Sequence, residues 1–110
     1  MTQKGTRFLA LLGAAHSLNH SLFLIVPPLL LIIMQDLDTS KFMLGTIGFV
    51  ASMIYGTGSL VGGPLSDRIS EIKIIALALA LAGASTFVLL FASNLLIYSV
   101  ALFLMAAWAS

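Results

Sequence analysis

Apolar residues run in four long stretches, and charged residues fall only outside them. Phe8 to Met34 (27 residues), Phe42 to Leu65 (24), Ile74 to Ala92 (19) and Leu95 to Ser110 (16) contain no Asp, Glu, Lys or Arg. About 20 apolar residues carry an α-helix across about 30 Å of hydrocarbon. The first two stretches exceed that length and the third meets it. The fourth reads as a helix cut off by the end of the chain. Strand-type alternation is absent, and hydrocarbon offers no partner for an open backbone N–H or C=O, so the pattern predicts helices and not a barrel. The expected architecture is an all-α transmembrane helix bundle in one domain, residues 1–110, with spans over 8–34, 42–65, 74–92 and 95–110. The first stretch is too long for a signal-peptide core of about 7–15 residues, and no small-x-small site leads into a polar mature chain.

Composition narrows the function. Hydrophobic residues make up 60% of the 110, charged residues 8%, and mean hydropathy is +1.13. A soluble domain averages about 45–50% apolar and about 25% charged. The chain lacks the polar side chains to coat a water-facing surface, which excludes a soluble enzyme, a nucleic-acid binder and a disordered segment. With no cysteine there is no disulfide framework and no thiolate metal site. The net charge of +1 is too small to steer the chain toward polyanions. The lipid bilayer is the expected partner.

Basic residues set the orientation. Four spans put Lys4, Arg7, Arg68 and Lys73 on one side, and only Lys41, beside Asp36 and Asp38, on the other. The positive-inside rule places the first group in the cytoplasm. The N-terminus and residues 66–73 then lie inside, and residues 35–41 and 93–94 outside.

Two of the spans carry patterned small or polar residues. In the second, Gly45, Gly48, Ser52, Gly56, Ser59 and Gly63 recur every three or four residues and share one helical face. Such a stripe lets a neighbouring helix approach closely, as static packing or as a surface that slides against a partner. In the first, His16, Asn19 and His20 share a face that Phe23 and Pro27 prolong. His20 is the thirteenth residue of that span, near the bilayer midplane. Polar groups there normally face a bundle interior or a wet cavity, and histidine titrates near neutral pH. Two readings follow: a substrate or proton pathway, and an interhelical hydrogen bond serving architecture. Pro27 and Pro28 remove two backbone donors, which predicts a kink serving as a plain bend or as a hinge. His16 and His20 have helical metal-site spacing, but no third ligand joins them, so neither a metal nor a cofactor is expected. No nucleophile triad, carboxylate pair or phosphate-binding glycine loop stands out, so no catalytic residues are assigned and an enzyme is not expected.

The most specific segment is Gly63-Pro64-Leu65-Ser66-Asp67-Arg68-Ile69-Ser70-Glu71-Ile72-Lys73. Physically it is a tight turn at the membrane face, with Asp67 placed to act on a helix N-terminus, Ser70 as N-cap of the third span and Glu71 in its first turn. It resembles the signature between the second and third helices of the major facilitator superfamily: Gly, three residues, Asp, Arg or Lys, any residue, Gly, Arg or Lys, any residue, Arg or Lys. Gly63, Asp67, Arg68 and Lys73 match; Ser70 replaces the second glycine and Glu71 a basic residue. His16 and Asn19, followed by Pro28-Leu29-Leu30, also look like the first helix of fosmidomycin-resistance-type drug-efflux members, which usually show Asp where this chain has His20.

The resemblance implies the first three to four helices of the N-terminal half of a secondary transporter working by alternating access. Protons and a small molecule are then the partners, together with the remaining transporter helices. It assigns Asp67 and Arg68 to a latch between two halves, Gly63 to close approach, and Lys73 to the same motif. The chain is expected to be an N-terminal fragment of a twelve-helix protein.

Two rivals stand beside this reading. Small multidrug-resistance-type exporters have this length and four helices, but they carry a glutamate in the first helix, and this first span has no acid. A non-transporting module that assists assembly of a larger membrane complex suits the glycine-rich face. Reporter fusions at Asp38 and Ser70 test the topology. An external signal at Asp38 and a cytoplasmic one at Ser70 are expected; a cytoplasmic Asp38 refutes the orientation.

Overall fold

A computed structural model describes residues 3–110. The helices in chain order are α1 (Gln3–Leu24), α2 (Val26–Asp36), α3 (Lys41–Ser66), α4 (Glu71–Leu90) and α5 (Leu95–Ala109), and no strand occurs among the described residues. α1 and α2 taken together, α3, and α4 are each long and apolar enough to cross a membrane; α5 is a shorter apolar helix of 15 residues. The fold is the expected all-α transmembrane bundle.

The first stretch lies in one span of 34 residues whose helix is interrupted at Ile25. Pro27 and Pro28 have no N–H to return to the carbonyls of Phe23 and Leu24, and their rings crowd the turn before them. α2 restarts with proline at its first positions, where the missing donor is an orphan anyway. Ile25 keeps helical angles (φ −68°, ψ −29°), so the hydrogen-bond ladder breaks there without the chain unwinding.

The turns are built from backbone bonds and short polar side chains. α2 ends in a Schellman arrangement: the Asp38 N–H donates to the Gln35 carbonyl (3.3 Å) and the Thr39 N–H to that of Met34 (3.0 Å). Asp38 takes the left-handed conformation this needs (φ 46°), at the position where glycine is usual. α3 starts at Ser40, whose hydroxyl accepts from the Met43 N–H at 3.1 Å. α5 starts at Asn94, whose side-chain oxygen accepts from the Ile97 N–H at 2.9 Å. Ser70 departs from expectation. It holds the N-cap position of α4, but its side chain makes no capping bond. Its carbonyl accepts from Lys73 and Ile74 instead, so the backbone closes this turn and the hydroxyl stays outside it.

The core sits around α5. Tyr98, Ala101, Leu102, Met105, Ala106 and Ala109 of that helix are buried, and they meet Leu44, Ile47 and Ala51 of α3 and Ala82 and Ser85 of α4. Small residues dominate this list, and they let the helix axes come close enough for dispersion to act. The Thr86 hydroxyl donates across the α4–α5 seam to the Met105 sulfur at 3.1 Å. Large apolar side chains point outward instead: Phe42 is 83% exposed and Leu60 74%. A protein in water could not sustain that inversion, whereas lipid tails make it neutral.

Two substitutions test the turns. Asp38→Gly relieves the left-handed strain and is expected to raise the unfolding free energy in detergent by about 0.5–1 kcal/mol. Asn94→Ala removes the cap of α5 and is expected to lower it by about 1 kcal/mol. Equal thermal midpoints for both variants and the native chain would contradict this account.

Candidate functional site

The polar face of α1 divides between two surroundings. His16 is exposed, and Asn19 and His20 are half-buried. The two imidazoles, one turn apart, meet edge to face with centroids 4.4 Å apart and planes at 74°. His16 and Asn19 line a cavity of about 570 Å³ between α1, α4 and the last turn of α5, where Ile74, Ala78 and Trp108 complete its wall. His20 lies outside that lining. Its ring centroid stands 6.1 Å from that of Tyr55 on α3, and Phe23 stacks on the same tyrosine at 5.0 Å and 25°. The Asn19 amide donates to the Ala109 carbonyl, joining α1 to α5. Of the two readings open for this face, Asn19 makes the interhelical bond while also bordering the cavity, and His16 keeps an open side.

Tyr55 is a member of this cluster that the spacing of histidines did not reveal. Its signal in the sequence was slight: it is the one tyrosine of the second apolar stretch, beside Gly56 of the small-residue stripe. Trp108 was likewise unmarked, since α5 is apolar on every side. Among the described residues no group of three His, Asp or Glu converges on a point that could hold a metal ion.

The turn from α3 to α4 spans residues 67–70. Pro64 lies in the last turn of α3, and the Leu65 carbonyl accepts from both Arg68 and Ile69 at 3.1 Å. This tight closure leaves Asp67 and Arg68 exposed, and neither side chain finds a hydrogen bond or ion pair among the described residues. Gly63 precedes them with nothing within 4 Å of where a side chain would start. Lys73, one turn into α4, borders a second cavity of about 470 Å³ between α3 and α4 that shares Trp108 with the first.

The stripe on α3 faces away from the core. Gly45, Ser52, Gly56, Ser59 and Gly63 are exposed and Gly48 is half-buried. A Cβ placed at Gly45, Gly48, Gly56 or Gly63 would meet nothing within 4 Å. The Ser52 and Ser59 hydroxyls donate back to the carbonyls of Gly48 (2.9 Å) and Gly56 (3.4 Å). The close approach within the bundle is made at Gly58, off the stripe, where a Cβ would collide with Ser110.

The family model described as Major Facilitator Superfamily matches residues 9–110. No curated protein and no solved structure matches the chain.

The Asn19 bond gives a direct test. Asn19→Leu removes the donor that α1 offers to α5 and is expected to cost about 0.6–1.7 kcal/mol, the range of interhelical hydrogen bonds in membranes. Denaturant titration in mixed micelles measures it, and an unchanged midpoint would show that the bond carries no weight.

Proposed function

The chain belongs to the major facilitator superfamily, and on that premise we propose that it contributes the opening helices of a secondary active transporter working by alternating access. It is a multi-pass membrane protein of a transporter family. Within that frame we assign it to proton-coupled transport or efflux of a small molecule, with no catalytic step. The observation that carries this reading is the family match across residues 9–110, which reaches into every helix of the bundle. It gives no support to a small multidrug-resistance-type exporter or an assembly module.

The polar face of α1 supplies the proton pathway in this reading. His16 opens on the cavity and touches His20, so a proton arriving at His16 has a second imidazole within reach. Protonation shifts the balance between inward- and outward-facing states only as far as the proton binds one of them better. The Asp67–Arg68 turn acts on the same balance from the other end of α3. Its unpaired charges are free to engage a second helical unit, and Gly63 leaves room beside them. Lys73 is a further basic residue of that motif. The stripe from Gly45 to Gly63 is the face we assign to further transporter helices, because its hydroxyls are already satisfied and its glycines meet nothing within the bundle. The N-terminus and the α3–α4 turn lie on the cytoplasmic side of the cell membrane in this arrangement, following the basic residues.

Liposomes holding the transporter assembled from this chain and the remaining transporter helices, loaded with a pH-sensitive dye and challenged with a panel of cationic and neutral drug-like compounds, test the proposal. Compound-dependent proton flux is expected. Asp67→Ala should slow it about tenfold, the size of a typical coupling between sites, without impairing insertion. His20→Ala should flatten its dependence between about pH 5 and 8. Flux indistinguishable from native in both variants at every pH defeats the residue assignments, and absence of flux with every compound from the assembled transporter defeats the transport reading.

A further inference from the structure

We propose that Tyr55 is a positioning residue for His20. The inference rests on the proton-handling role given to His20 above and extends it to a residue on another helix. His20 has two ring neighbours: His16 on its own helix, and Tyr55 on α3, with centroids 6.1 Å apart and planes at 55°. Phe23 stacks on Tyr55 at 5.0 Å and 25°, three residues after His20 on the same face of α1. That stack fixes the Tyr55 ring relative to the helix that carries His20, so the two aromatic residues form one seat for the imidazole.

The chemistry of the contact belongs to the ring. The Tyr55 hydroxyl makes no hydrogen bond among the described residues. An aromatic ring presents a negative face and a positive edge, and it attracts a cation within about 6 Å of its centre. A neutral imidazole meets Tyr55 as one apolar ring meets another, whereas an imidazolium is drawn to its face. Tyr55 thereby turns protonation of His20 into a change in the contact between α1 and α3. Among the described residues the titratable groups that face His20 are His16 and Tyr55. α5 has no charged residue, the charges of α4 stand in its first turn at Glu71 and Lys73, that of α3 is Lys41 at its start, those of α1 are Lys4 and Arg7 near its start, and the acid of α2 is Asp36 at its far end.

The test reads His20 directly and needs no substrate. The full chain, labelled at histidine, is followed by NMR in micelles from pH 5 to 8, with the two imidazoles assigned through His16→Gln. In Tyr55→Leu the His20 ring resonances are expected to lose their ring-current shift and their pH response to move. In Tyr55→Phe both stay native, because the ring face is retained. His20 signals unchanged in Tyr55→Leu, or equally disturbed in Tyr55→Phe, overturn the proposal. Should Tyr55→Leu fail to fold, Phe23→Leu frees the tyrosine ring and is read in the same way: a moved pH response supports the seat and an unmoved one overturns it. This readout is separate from the flux experiment. A His20→Ala variant with native flux would remove the transport role and leave the ring contact standing, and an unresponsive His20 resonance would remove Tyr55 and leave transport standing.

Discussion

Every feature of this chain follows from the absence of water around most of its length. A backbone amide in hydrocarbon has no partner except another amide of the same chain, and an unpaired one costs several kcal/mol. The helix is the local answer to that demand, and the side-chain hydroxyls obey it as well. Ser21, Thr46, Ser52, Thr57, Ser85 and Ser99 each donate to a carbonyl four residues back, which satisfies the hydroxyl without calling on a neighbouring helix. Among the described residues irregular backbone is confined to short turns, and those turns carry Asp38, Asp67 and Arg68 along with the Ser40 and Asn94 caps.

The same solvent explains why fit between helices, and not polarity, decides which side chains are buried. Lipid rewards a leucine as well as a protein interior does, so burial of apolar area selects nothing. What remains is fit. Ala82, Ala101, Ala106 and Ala109 are buried because they permit closeness, while Leu60, Leu90 and Phe91 stand outside. α5 collects the largest share of buried residues despite being the shortest of the apolar stretches in the sequence, since it is the helix that α1, α3 and α4 all touch.

Much of this was legible before any coordinates. Charge-free length gave helices, and Pro27 with Pro28 marked where the first is interrupted, at Ile25, because a proline disturbs the turn before it. The family likeness was carried by Gly63, Asp67 and Arg68 at the right place between two spans. The centre of the bundle was not legible. A helix apolar all round has no periodic face, so nothing marked α5 as the hub or Met105 as its most enclosed large side chain. Ser70 had the right chemistry and position for a cap, yet the backbone closed that turn by itself. The polar face of α1 was visible as a set, but its division was not. Which members meet a cavity and which meet Tyr55 depends on how α3 and α5 sit against α1, and helical spacing holds no information about that.

The Thr86–Met105 contact gives the seam between α4 and α5 a chemical vulnerability. Met105 is fully enclosed, and its thioether already accepts a hydrogen bond from the Thr86 hydroxyl. Oxidation to the sulfoxide would place a strongly polar oxygen inside a tightly packed apolar core. An oxidant in the surrounding medium reaches that sulfur only while the two helices part, so the rate at which Met105 is oxidised measures how often the bundle breathes.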